Sequence, residues 1–179
     1  MARARRSALA GAEPLPARRK WRAITLATLL LVPAYMSVLV GLVSLASDEE
    51  NAPNAGLYIA FGLALVPFVF IALAFLSEHP RAPGAVIKAM ALTLLVGIPV
   101  SALAADAVTG FVAAIGAGGV VALRTEAAYS WKARWIAVLA ATVAIFLLVR
   151  TAGEVALLLA PVFPFTSLGI ADHLAEGRR

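Results

Sequence analysis

The chain has 179 residues, 62% hydrophobic and 14% charged, with no cysteine and a formal net charge of +5. A soluble domain carries roughly 45–50% apolar and about 25% charged residues. The departure is toward lipid, and it excludes a disordered chain, a disulfide-stapled scaffold and an ordinary soluble enzyme.

The useful unit is therefore the membrane span, about 20 apolar residues long. Alanine occupies 40 positions, and only Lys20, Lys88 and Lys132 of the 15 basic residues are lysines. That vocabulary points to a GC-rich coding sequence and so to a bacterium. Residues 1–22 hold seven of the 15 basic residues, with Pro14, Pro16 and no apolar periodicity. They are expected to be a disordered cytoplasmic arm lying on anionic lipid. A nucleic-acid role would need interleaved aromatics, and only Trp21 is present, so no nucleic acid is expected.

A first span is expected at 23–46, too long for the roughly 7–15-residue core of a cleaved signal peptide. An acidic turn with Asp48, Glu49 and Glu50 precedes a second span at 55–76. The Pro/Gly-rich connection 77–84 leads to a third span at 85–105, with Lys88 close enough to its start to snorkel. Residues 85–123 would make a helix of about 58 Å against a hydrocarbon core of roughly 30 Å. A turn at Ala105-Asp106-Ala107 therefore divides them, leaving a fourth span at 108–123. Trp131 and Trp135 flank the next polar loop as interfacial anchors. The apolar stretches 135–149 and 155–171 are separated by Arg150 to Glu154, and Pro161 and Pro164 break the second. Either these are two short spans, or one long helix near 135–160 buries Arg150 and Glu154.

Charge arbitrates. With six spans, the segments 1–22, 77–88, 124–134 and 172–179 share one side and hold 14 of the 15 basic residues. Asp48, Glu49, Glu50, Asp106 and Glu154 fall on the other. By the positive-inside rule the basic side is cytoplasmic. The expectation is an all-α transmembrane bundle of six spans in three hairpins, five being the alternative. Both termini, including the tail 172–179, then face the cytoplasm of a bacterial cell with the bundle in its inner membrane.

Few residues carry chemistry. Gly116-Ala117-Gly118-Gly119 superficially matches a dinucleotide-binding turn, but Val121 replaces the third glycine and no βαβ pattern flanks it. Gly110, Ala114, Gly118 and Ala122 recur every four residues, a small-residue face that lets another helix approach closely, either a neighbouring span or a second subunit. Pro33, Pro67 and Pro99 kink their spans and free the carbonyls of Leu29, Leu63 and Leu95, which in transporters can bind cations. Asp106 and an Arg150/Glu154 pair are the candidate transport groups, because charge inside a bilayer is costly. His79 and His173 are isolated, so no metal site is expected. The hydroxyls of Thr25, Thr28, Ser37, Thr93, Ser101 and Thr142 lack a base in their own helices, so no catalytic residue or cofactor is expected.

The hydrophobic layout as a whole, with Ser77-Glu78-His79-Pro80-Arg81-Ala82-Pro83 and Gly116-Ala117-Gly118-Gly119, resembles the small uncharacterised multi-pass membrane proteins of actinobacteria. The resemblance implies a helical membrane bundle and carries no activity with it. The function expected is a non-enzymatic membrane protein that packs with itself or a membrane partner complex. The alternative is a small transporter or channel for an ion or solute.

Overall fold

The computed structural model describes residues 15–46, 52–125 and 130–176. Within them the chain is all-α: α1 (Ala17–Ala46), α2 (Ala52–Leu76), α3 (Ala82–Ala104), α4 (Ala107–Ala122), α5 (Ser130–Ala152), α6 (Glu154–Leu159) and α7 (Phe163–Glu176). Four of these helices, α1, α2, α3 and α5, are long and apolar enough to cross a membrane. Six uninterrupted spans are thus not what forms. The expected fourth span is a 16-residue helix, about 24 Å long. The expected sixth is broken into α6 and α7 by Ala160, Pro161 and Val162, because the proline ring removes an N–H and clashes with the preceding turn.

The ends of the chain also differ from expectation. Helix α1 begins at Ala17, where the Pro16 carbonyl accepts the Arg19 and Lys20 amides. The last six residues of the expected arm, 17–22, are therefore helical, while residues 1–14 lie outside the described residues. The expected tail is likewise mostly the last turn of α7, with only 177–179 outside the described residues. The acidic turn at Asp48, Glu49 and Glu50 also lies outside them.

Turns fall where the local chemistry asks for them. Helix α3 closes on Ala105 in the left-handed region (φ 50°), whose N–H reaches Ala102 O while the Asp106 N–H reaches Ser101 O. These are the two bonds of a Schellman motif. Asp106 then caps α4, its carboxylate accepting from Val108 N at 3.1 Å and Thr109 N at 2.8 Å. One residue thus ends one helix and starts the next, and two helices replace one overlong one.

Helix α4 sits at the centre, with 13 of its 16 residues buried. Small side chains allow this, since each glycine meets a different neighbour at van der Waals range. Gly110 faces Ser101 of α3, Gly116 faces Val138 of α5, Gly118 faces Phe70 of α2 and Thr93 of α3, and Gly119 faces Phe165 and Leu168 of α7. The four-residue stripe pairs in antiparallel register with a second stripe on α3, Gly110 on Ser101, Ala114 on Gly97 and Gly118 on Thr93. Ala122 and Ala89, both fully buried, continue the two rows. The α1–α2 hairpin uses the same device: a methyl on Gly62 would lie 2.5 Å from Ala34 O, and one on Gly41 would lie 2.7 Å from Ala55 O. The outer surface is large and apolar, with Ile87, Leu95 and Leu103 exposed at 71%, 70% and 88%. Such continuous exposure is a lipid-facing surface rather than an aqueous one.

The steric origin of the glycines gives a paired test. A methyl at Gly118 meets the Phe70 ring and Thr93, whereas one at Gly56 has nothing within 4 Å. Gly118→Ala should lower stability by about 1–3 kcal/mol through overpacking. Gly56→Ala should be neutral or raise it by up to about 1 kcal/mol. Thermal unfolding of both variants in mild detergent reads the difference directly.

Candidate functional site

The polar side chains that the structure gathers lie at one end of the bundle, where α1 and α5 begin and α2, α4 and α7 end. Helix α5 carries Arg134 on the same row as buried Val138, Ala141 and Ile145, so its guanidinium turns inward with no exposed surface. It meets Asp172, which follows buried Phe165 and Leu168 on the inner face of α7. The pair is bidentate, Nε to Oδ1 at 2.8 Å and Nη2 to Oδ2 at 2.6 Å. Nη1 donates to the carbonyls of Leu123 (2.7 Å) and Val120 (3.2 Å) and to Thr125 Oγ1 (2.7 Å), and Nη2 also donates to Arg124 O at 2.7 Å. One cation therefore closes the C-terminus of α4, whose last carbonyls have no intrahelical donors and carry the negative end of the dipole. Lys20 of α1, itself buried, places Nζ 3.7 Å from Asp172 Oδ2.

A second layer surrounds the first. Glu78 pairs with Arg19 and, at 3.9 Å, with Arg124. Buried Ser77 accepts the Arg124 amide at 3.1 Å and donates to Ala74 O at 3.3 Å. Half-buried His79 accepts the Arg81 amide on Nδ1 at 3.1 Å. Burial, then the nearby cations Arg134 and Arg124, holds the His79 imidazole below its usual range. The two layers tie the ends of α1, α2, α4, α5 and α7 together with a net excess of positive charge. Their chemistry is electrostatic positioning.

The residues expected to carry function lie elsewhere. Asp106 is the cap of α4 described above. Arg150, in the last turn of α5, is exposed; its Nη2 donates to Ala104 O at 3.2 Å and its guanidinium lies 5.2 Å over the Phe146 ring. Gly153, at φ 49°, breaks the chain between α5 and α6. Arg150 and Glu154 therefore sit on different helices rather than one turn apart on a single helix, and the long helix near 135–160 does not form. The Glu154 side chain lies outside the described residues. The three prolines lie within α1, α2 and α3, with Pro33 and Pro99 exposed, and the residues whose carbonyls they free, Leu29, Leu63 and Leu95, are 57–70% exposed. They mark outer faces and do not converge. Thr28, Thr93 and Thr142 each donate to the carbonyl four residues earlier. The orphan among described buried side-chain atoms is Tyr35 Oη, in an apolar cluster against Phe111 at 4.7 Å.

Arg134, Asp172 and Lys20 were expected in a loop, a tail and an arm. Extending the apolar rows of α5 and α7 toward the basic end would have put Arg134 and Asp172 on buried faces. Nothing local marks Lys20, whose burial depends on α7.

Two outcomes follow. Arg134→Met leaves the Asp172 carboxylate buried beside Lys20 and should cost about 3–5 kcal/mol. Adding Asp172→Leu should restore only part of that loss, because buried Lys20 then loses this carboxylate and the carbonyls at the end of α4 still lack the guanidinium. A double-mutant cycle on thermal stability measures both. Because the folded His79 is held below 6.5, its contribution is fully present above about pH 6.5 and is lost as pH falls through its lower folded value. His79→Gln should flatten this part of the stability–pH curve.

No family model, curated protein or solved structure matches this chain.

Proposed function

We propose that the chain is a non-enzymatic protein of a bacterial inner membrane, crossing it six times with both termini in the cytoplasm. It acts by packing its outer helix faces against a second copy or a partner membrane protein. The observation that carries this reading is the division of the molecule's surfaces. Large apolar side chains cover the outside of α1, α2 and α3, while charge is gathered at one end. Six crossings are supported by the contact of Lys20 with Asp172, which brings the start of α1 and the end of α7 to the same end. Helix α4 and the broken α6–α7 segment are the two short crossings, shielded in part by the longer helices. The basic end faces the cytoplasm by the positive-inside rule.

Because Gly110, Ala114 and Gly118 already meet α3 and Ala122 is fully buried, a partner would seat on the outer faces instead. The transport reading keeps one observation in its favour: Arg150 bonds the carbonyl of Ala104, two residues from Asp106. Those two charges thus share the far end.

Single cysteines separate these readings, since the native chain has none. Cysteines at Asn51 and Ala152 should react with an impermeant thiol reagent from outside the cell, and one at exposed Gly84 should react only after the membrane is permeabilised. Cysteines at exposed Leu29, Phe61 and Leu95 should cross-link in native membranes to a second copy or one defined partner. Failure of all three to cross-link removes the packing function. Proteoliposome flux that depends on Asp106→Asn or Arg150→Ala would establish the transport reading in its place.

A further inference from the structure

Helix α5 presents Ala133, Ala137, Ala140 and Ala144 toward α7, and these side chains are too short to fill the space between the two helices. The result is an open groove of about 820 Å³, with Thr166, Ile170 and Leu174 on its α7 wall. In a bilayer such a space is filled by lipid or by another helix. Along α5 the groove runs from Ala133, at the basic end, to Ala144. The eleven helical rises between them make about 16 Å, or roughly half of a hydrocarbon core about 30 Å thick. The groove is therefore one leaflet deep. Its inner end lies at Val162 and Phe163, beside the bend between α6 and α7. An acyl chain entering from the headgroup level matches this extent, whereas a crossing helix would run past it.

The mouth specifies a headgroup. Lys132 is exposed, stands on the same i,i+4 row as the groove residues Ile136 and Ala140, and has no ion pair with any described residue. A lysine in the first turn of a helix opposes the helix dipole, so α5 itself gains nothing from it. A phosphate at this point would be favoured by both the ammonium and the positive end of α5. Trp131, exposed, and Trp135 meet edge-on at 5.8 Å beside it, at the depth where indoles settle in the interface.

We propose that the groove between α5 and α7 holds one acyl chain of an anionic phospholipid from the leaflet at the basic end, with its phosphate on Lys132. This rests on the membrane placement proposed above and adds a specific lipid site to it.

The test is native mass spectrometry of the full chain released from vesicles of equal phosphatidylglycerol and phosphatidylcholine. The wild type should retain one phosphatidylglycerol per chain in preference to phosphatidylcholine. Lys132→Ala should cut that preference about fivefold, the factor for ~1 kcal/mol per basic residue at a lipid surface. Ala140→Phe, or Ala144→Leu at the exposed lip should the larger ring impair folding, should lower retention of both lipids without shifting the melting temperature. Equal retention of the two lipids by wild type and variants overturns the proposal while leaving membrane placement intact. Retention of neither lipid by a chain recovered with the vesicles overturns the proposal, and a chain that does not partition into the vesicles overturns the membrane placement with it. An Ala140→Cys dimer captured by a short bismaleimide in membranes also overturns it, because a second copy would then fill the groove.

Discussion

The buried Arg134 guanidinium is the constraint on which the arrangement of the helices depends. It carries five N–H donors in a planar fork, and its partners lie on Asp172 of α7, the last carbonyls of α4 and the connection after it. A lysine could not reproduce this, having neither the plane nor the number of donors. Once the guanidinium is seated, the starting turn of α5, the end of α4 and the inner face of α7 have fixed relative positions. Lys20 brings α1 to the same carboxylate. Removing two charges from water is expensive, and their mutual attraction repays it only with good geometry and satisfied hydrogen bonds. The bidentate pair and the carbonyls around it meet that condition.

Above this polar end the bundle is held by close packing of small residues. In lipid there is no hydrophobic gain from bringing two apolar helices together, so association rests on van der Waals contact and hydrogen bonds. The antiparallel rows Ser101, Gly97, Thr93 on α3 and Gly110, Ala114, Gly118 on α4 let the two backbones approach without a side chain between them. Gly116 and Gly119 repeat this toward α5 and α7. A helix with small residues on every side can be surrounded, and α4 is. Longer neighbours cover its 16 residues, and its two ends are capped, by Asp106 at one and Arg134 at the other.

The same choice of small residues leaves a space where no neighbour fills it. Alanines on the α7 side of α5 meet a helix that begins only at Phe163, after the proline bend, and the groove between them opens outward. Packing and its local failure therefore have one origin.

By itself the sequence determined that the chain is helical and belongs in lipid, where α2 and α3 lie within a few residues, and that Asp106 is a turn. These follow from local properties: apolar run length, helix rise and the capping preference of aspartate. It also located the small-residue stripe, because a four-residue period is visible along a single helix. Only the tertiary structure decided which helix the stripe meets. It also decided that the sixth apolar stretch, broken where its prolines indicate, returns to the basic end, and that Arg134, Asp172 and Lys20 are buried partners rather than loop, tail and arm. Arg134 and Asp172 are 38 positions apart, and each looks like an ordinary solvated charge at the end of an apolar segment. Their burial depends on the donors and acceptors that the other helix ends supply, and no local pattern records those.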